Sequence, residues 1–599
     1  MTSKQLGASS LLLLLLIPLA LAQSSSQVDA SQEEELKRAR IARDKMALAT
    51  VEEIIKEVQS LKLPENRIRV QIALADLLWQ RDEQRARSLF NAAAASLGEI
   101  TAGVAAEDPE YYNLAELPTQ MRREMLHVIA KHDSRLALDF LRTTRPAVPQ
   151  IGYAQPDLEA QLEMTLASEV AGKDATEALR IAEESLKKGI DYQAINLLHR
   201  LHSADKAVAE KLLTSILERL RNEDFTRNPG SWYVALTLLR IWIENNRPPQ
   251  QELRRTTFDI RLPNLDEQAA RDLSVGIIGA VMNDGLGGYS QLHLFSGQHS
   301  GNLQQVKMLM PDMERLSPNQ ARALGKKIAE FDKIAELQQG PWGKYKELIQ
   351  DGTPDELIEA AKTAPPGIAD HLTQHAVSKA LAQGDTDSAR QMAAKIEDPR
   401  RRKEATLNID RQLVYRANEQ GSVADARALI SRIPEIEERV GFLAQLATTA
   451  AGRGDRSAAL QFLGEAMALL GERSRNYRQL RMQLQIARAY EQIDISKSAS
   501  IVETTIDQFN ELAAAALILN GFDLHQYFRG GEFIINSSNS MCTVAQEMAG
   551  QLRSLALRDI ERAIAATARF QRGEVRAMAL LQIVQGTLTP GRGDDAEGR

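Results

Sequence analysis

The stretch GRGDRSAALQFLGEA, from Gly452 to Ala466, decides how the rest of the chain is read. Asp455 is followed by Ala459 four residues on, Leu463 eight on and Ala466 eleven on. An Asp at the start of a helix accepts hydrogen bonds from the first free N–H groups, which contributes about 1 kcal/mol. Positions four and eight further on lie close to one stripe of that helix, and a small Ala there lets a neighbouring helix come close. Gly454 stands where a preceding helix must stop, a place where left-handed backbone is cheap only for Gly or Asn. The apolar run RVGFLAQLATTAA before it supplies that preceding helix. The stretch therefore predicts two helices joined by a Gly-Asp turn. Arg453-Gly454-Asp455 also spells the tripeptide of integrin ligands, but an Asp held by its own helix is poorly free to bind a receptor cation.

The same spacing recurs. Asp82, Ala86, Phe90 and Ala93 repeat it in full, and Asp133, Asp174, Asp205, Asp385 and Asp559 each precede an Ala by four residues. Ser422 takes the place of Asp before Ala426, and Gly384 and Gly421 take the place of Gly454. Ala, Leu, Glu, Arg and Gln dominate between Ala30 and Thr587, with apolar residues returning every three or four positions, so the chain reads as helix almost throughout. A recurring helix–turn–helix unit is the signature of a repeat architecture.

Gly454, Ala459, Leu463 and Ala466 resemble the second-helix pattern of the tetratricopeptide repeat family: a turn Gly, then Ala, a bulky residue and a small one. The distances between caps depart from that family's repeat of about 34 residues. The resemblance covers roughly 51–216 and 366–508, with a last pair near 555–588. It implies an all-α fold, a right-handed α-solenoid of antiparallel helix pairs with two loop insertions, and binding of a protein or peptide partner.

The expected organisation is a signal peptide over 1–22, N-terminal repeats over 23–221 and an irregular helical segment over 222–351. C-terminal repeats follow over 352–510, then terminal helices with an aromatic loop over 511–588 and a tail over 589–599. Lys4, the apolar run Leu11–Leu21 and the Ala20-x-Ala22 arrangement carry the signal-peptide reading, with cleavage after Ala22 and export, periplasmic or extracellular. No later apolar stretch is long enough to span a bilayer.

The first insertion holds NDGLGGYSQLHLFSGQHSG, Asn283 to Gly301, too rich in Gly for a stable helix. Its Tyr289, His293, Phe295 and His299 are candidate partner-binding residues, against the plainer reading of a loop packed by its own aromatics. The second, around Arg529-Gly530-Gly531, offers Tyr527, Phe528 and Arg529 as candidates. Folding back to cover the terminal repeat is the favoured reading there, because an end repeat must hide its open face.

A net charge of −7 gives no electrostatic support for nucleic-acid binding. The single cysteine, Cys542, precludes an intramolecular disulfide and reads as a buried thiol. His371 and His375 lie one helical turn apart, but Leu372 stands where zinc peptidases carry their Glu, and no metal or cofactor is expected. The leading expectation is a non-catalytic exported scaffold for a peptide, protein or envelope component. The alternative is an envelope-acting enzyme, for example one that cleaves cell-wall glycan, with its site in 222–351.

Overall fold

The computed structural model describes residues 34, 37–103, 116–145, 158–226, 228–246, 261–283, 300–338, 345–471, 473–522, 527–535 and 539–589. The signal peptide, the 590–599 tail and Tyr289, His293, Phe295 and His299 lie outside these residues. The fold is all-α, with a single two-residue-per-strand hairpin, Phe528–Arg529 against Glu532–Phe533, among the described residues.

Helices pair antiparallel with their sequence neighbours and then stack, first helix on first and second on second. Leu158–Val170 packs on its own partner Ala175–Leu186 and on Gln193–Ala204, the first helix of the next pair; Lys206–Arg221 packs on both Gln193–Ala204 and Ala175–Leu186. This is the stacking of a helical-repeat solenoid, in which each unit buries its apolar face against the next.

The caps explain the pairing. Asp82, Asp174, Asp385, Asp455 and Asp559 each accept a hydrogen bond from the backbone N–H three residues on, at 2.9 to 3.0 Å. Asp133 and Asp205 each accept two. Every Ala four residues past a cap, from Ala86 to Ala563, is fully buried. Ser422 is the correction: its hydroxyl makes no capping bond. Its backbone matches that of Asp385 and Asp455, with φ near −80° and ψ between 72° and 83°, so the turn keeps its form without the capping bond.

The turns within pairs include two kinds. In the first, Gly384, Gly421 and Gly454 adopt φ of 90°, 76° and 83°. The N–H of the residue after each Gly bonds five residues back, to Ala380, Ala417 and Ala450, so one residue closes the first helix and begins the second. Arg453 adds a tie to the preceding turn, donating to the Glu419 carbonyl with its guanidinium against Gly421. In the second kind no Gly is needed: Asp133 and Asp205 adopt extended backbone and serve at once as C-cap and N-cap.

Gly454→Ala is expected to lose about 1–2 kcal/mol, because a Cβ disfavours left-handed backbone. Gly464→Ala, on the exposed face of Arg456–Leu470 with open space at the Cβ position, should gain up to about 1 kcal/mol from helix propensity. Urea melts of both variants test the pair; equal signs would refute the turn geometry.

The stacking continues where the sequence predicts an interruption. Within 222–351, Pro229–Asn246 pairs with Glu267–Asn283, and Ser300–Leu316 with Pro318–Gln338. Asp266 caps the Ala269 N–H at 2.7 Å, and Ala270, four residues past it, is fully buried. Ser317 and the buried Ala321 repeat the step. The helix Ile495–Asn520 likewise runs through the expected boundary at 510/511, capped by Asp494 with Ser498 in the Ala position.

The chain forms two compact units. One joins Met1–Leu89 to Asp410–Arg599, and the other is Phe90–Ile409. This grouping differs from the consecutive segments expected from sequence, because in the first unit Pro64–Leu78 packs on the last helix, Gly573–Leu588.

Candidate functional site

Between Lys206–Arg221 and Glu267–Asn283, in the second unit, lies a cleft of about 490 Å³. Its floor is apolar: Leu217, Leu220, Phe225, Ala269, Leu273 and Ala280. Two glycines shape its wall. A Cβ on Gly276 would collide with the Phe225 ring, so that glycine lets the edge of the ring approach the helix. Gly279 has open space where a Cβ would stand and leaves the wall bare. Helix-interior glycine costs about 1 kcal/mol relative to Ala; at Gly276 that cost is tied to close packing.

The rim is polar. Arg221 approaches Asp272 at 3.4 Å, Glu223 pairs with Arg219 at 3.0 Å, and Asp224 accepts from the Thr226 N–H at 3.0 Å. Counting only the cleft's own lining, three carboxylates face one guanidinium. A smaller pocket of about 230 Å³ lies beside Trp242, between the end of Pro229–Asn246 and 262–265. The cleft ends at Asn283, where the Gly-rich stretch of the sequence begins. Sequence reading placed candidates beyond Asn283 and missed Phe225, Gly276 and Gly279; a Gly–Gly step of three within a helix-forming run was the available signal.

In the first unit the structure places Tyr527, Phe528 and Arg529 in a seam between the two ends of the chain. Phe528 and Phe533 are buried and meet edge to face at 5.5 Å, and Phe533 meets Phe509 at 6.2 Å. Arg529 is half-buried and pairs with the buried Glu65. Tyr527 Oη lies 3.2 Å from Ser540 Oγ. Phe528 is thus a buried packing residue and Arg529 is engaged in an internal ion pair. The hairpin packs against the start of Pro64–Leu78.

The polar side of the seam is built on Glu532. Its carboxylate accepts from the backbone N–H of Lys62 and Leu63 and from Asn66 Nδ2, the last two at 3.1 and 2.8 Å. It thereby caps Pro64–Leu78 from the far end of the sequence. Asn66 also donates to the Phe533 carbonyl at 2.7 Å and accepts from the Ile535 N–H at 2.9 Å. Glu574, at the start of the last helix, accepts from the Phe533 N–H at 2.8 Å.

Burial, with the Glu532 charge adding to it, pushes the Glu574 carboxyl above its ordinary value despite the Phe533 hydrogen bond and the nearby Arg572. An acid whose folded pKa is raised holds its proton more tightly in the folded state. Its favourable contribution is therefore present at low pH and lost as pH rises through the folded value. Glu574→Gln keeps an acceptor for Phe533 and removes the charge. The variant should melt higher than the wild type at pH 7 and converge with it below pH 4; a thermal melt series that shows no such convergence would refute this.

Four of the described histidines have close side-chain or backbone neighbours. His371 and His375 stack at 4.7 Å between ring centroids, and burial beside His371 pushes His375 down. His199 Nδ1 accepts from the Arg261 N–H at 3.1 Å, and His127 Nδ1 lies 3.5 Å from Glu169. Among the described residues no three His, Cys, Asp or Glu side chains converge as a metal site, and no helix is long and apolar enough to cross a membrane. Cys542 is buried.

No family model matches the chain. No curated protein matches it either. Among solved structures it is similar to a circular tandem repeat protein with novel repeat topology and enhanced subunit contact surfaces, at 12% identity and TM-score 0.13, covering 91% of this chain and 99% of that one. It is also similar to the APC/C hetero-tetramer Cut9-Hcn1, at 13% identity and TM-score 0.17, with 86% and 89% covered. Scores that low carry no argument, and the helical-repeat fold rests on the helix pairing described above.

Proposed function

We propose that the protein is an exported, non-catalytic helical-repeat scaffold that binds a peptide, protein or envelope component through the cleft between Lys206–Arg221 and Glu267–Asn283. The observation that carries this reading is the bare wall at Gly279 beside an apolar floor. Pockets that hold ligands combine apolar lining with a few placed polar groups, at volumes of about 300–1,000 Å³. The excess of carboxylates on the rim favours an apolar side chain carried next to a basic group. Export is supported by the charged, apolar and small-residue order of the first 22 residues.

Gly279→Trp tests the cleft, since a Cβ at that position meets nothing within 4 Å. Affinity capture from the exported fraction should recover partners with the wild type and at least about tenfold less with the variant, at an unchanged melting temperature. Equal recovery by both, or glycan turnover by the purified protein, would sink the proposal.

A further inference from the structure

His371 and His375 stand four residues apart on the helix Pro366–Gln383, which puts their side chains on one face, a turn apart. Both are partly exposed, and their ring centroids lie 4.7 Å apart with the planes tilted by 55°. Lys379, the next position along that row, donates to the carbonyls of Gln350 and Gly352, which holds its ammonium at the end of Lys346–Asp351. The pair belongs to the second unit, and neither histidine lines the cleft.

The ring separation fits an ion shared between them. An imidazole nitrogen binds a divalent first-row ion at about 2.0–2.1 Å and lies about 1.1 Å from its ring centre, so an ion held by both rings is about 3.2 Å from each centroid. Centroids 4.7 Å apart then subtend about 95° at the ion. That is close to the right angle between neighbouring ligands of square-planar copper(II), whereas the tetrahedral angle of zinc(II) needs centroids about 5.2 Å apart. The order of affinities at nitrogen sites points the same way, with copper(II) above zinc(II). Rings that merely pack prefer offset-stacked or edge-to-face planes, and a 55° tilt is neither. Nδ1 of His371 is buried, which leaves Nε2 as its ligating atom.

We propose that His371 and His375 form a two-imidazole chelate for copper(II), with water completing the coordination of the ion. Leu372 in the place of a Glu removes the general base of peptidase chemistry, but it leaves binding by the two rings untouched. Among the described residues no third His, Cys, Asp or Glu joins them. Two protein ligands make an open, exchangeable site, unlike the closed four-ligand sites that hold a structural metal. Bound copper links two turns of Pro366–Gln383, and because it binds the folded helix it adds to the stability of that unit.

Titration of the metal-free full chain with copper(II), near neutral pH and with glycine present to take up loosely held ion, tests the assignment when followed by pulsed electron paramagnetic resonance. The wild type should bind one equivalent more than His371→Gln or His375→Gln, and its signal should carry two imidazoles where each variant carries at most one. Copper should raise the melting temperature of the wild type and leave that of both variants unchanged, and zinc(II) should bind at least about tenfold more weakly than copper(II). His199→Gln is the control, its wild-type ring already accepting from the Arg261 N–H, and should keep the extra equivalent. A second measurement needs no substitution: one equivalent of copper should slow modification of His371 and His375 by diethyl pyrocarbonate at least about fivefold, as read by peptide mapping. Equal copper uptake by the wild type and both variants, a signal without a second imidazole, zinc binding as tight as copper, loss of the equivalent in His199→Gln, or no protection of the two rings would overturn the proposal.

Discussion

Replacing Arg122 with Met is expected to destabilise the Phe90–Ile409 unit by about 3–5 kcal/mol, the loss typical of removing one member of a buried ion pair. Arg122 is 1% exposed. Its guanidinium donates to both Glu159 carboxylate oxygens at 2.5 and 3.0 Å, to the Leu141 carbonyl at 3.1 Å and to Thr144 Oγ1 at 3.2 Å. One side chain on Leu117–His132 thus binds the end of Ser134–Thr143 and the start of Leu158–Val170, which fixes a pair and its successor together. The methionine fills the volume but leaves acceptors from two other helices short of donors. Arg122→Met with Glu159→Leu should recover most of the loss, because an apolar pair of similar volume often matches a buried salt bridge. Hydrogen exchange of 117–132 in the single and double variants measures both; exchange unchanged in the single variant would disprove the role.

Glu532→Ala should cost the first unit about 3 kcal/mol. The substitution strips acceptors from three donors, Lys62 N, Leu63 N and Asn66 Nδ2, and each buried group left without a partner costs about 1–3 kcal/mol. The total falls short of the sum because loss of the Glu532 charge relieves its unfavourable effect on Glu574. Glu532→Gln keeps one acceptor and should cost less than half as much. Limited proteolysis within 527–535 is the readout: the Ala variant should be cut far sooner than the wild type, and equal lifetimes would contradict the capping role.

The repeat was legible because its turn chemistry is local. An Asp, an Ala four residues on and a bulky residue beyond it lie within one helix, and their burial follows from that helix packing on its predecessor. The copies that escaped notice differ in context. Asp266 and Ala270 fit the pattern, but the preceding helix ends at Asn246, without the short turn that marks the other copies. Asp494 is followed by Ser498, which packs as a small residue without being Ala. The partners across the seam were not legible, since the donors that Glu532 satisfies lie some 470 residues away. Arg122 and Arg123 look alike in the sequence, yet one is buried and the other exposed. Which is which depends on where Glu159 arrives.

The seam also imposes an order on assembly. A chain made from its N-terminus presents every residue of Phe90–Ile409 before Glu532 and Glu574 exist, so that unit can complete itself while the other waits. Residues 37–89 meet some of their final neighbours only after the last helices have emerged; Glu53 and its partner Arg576 are 523 positions apart. Until then, apolar faces of the first helices stay uncovered, and uncovered apolar surface is what chaperones hold and aggregates exploit. Closure of so long a loop adds little to the equilibrium cost, which grows only with the logarithm of length, but it makes the joining of the two ends the natural last step of folding.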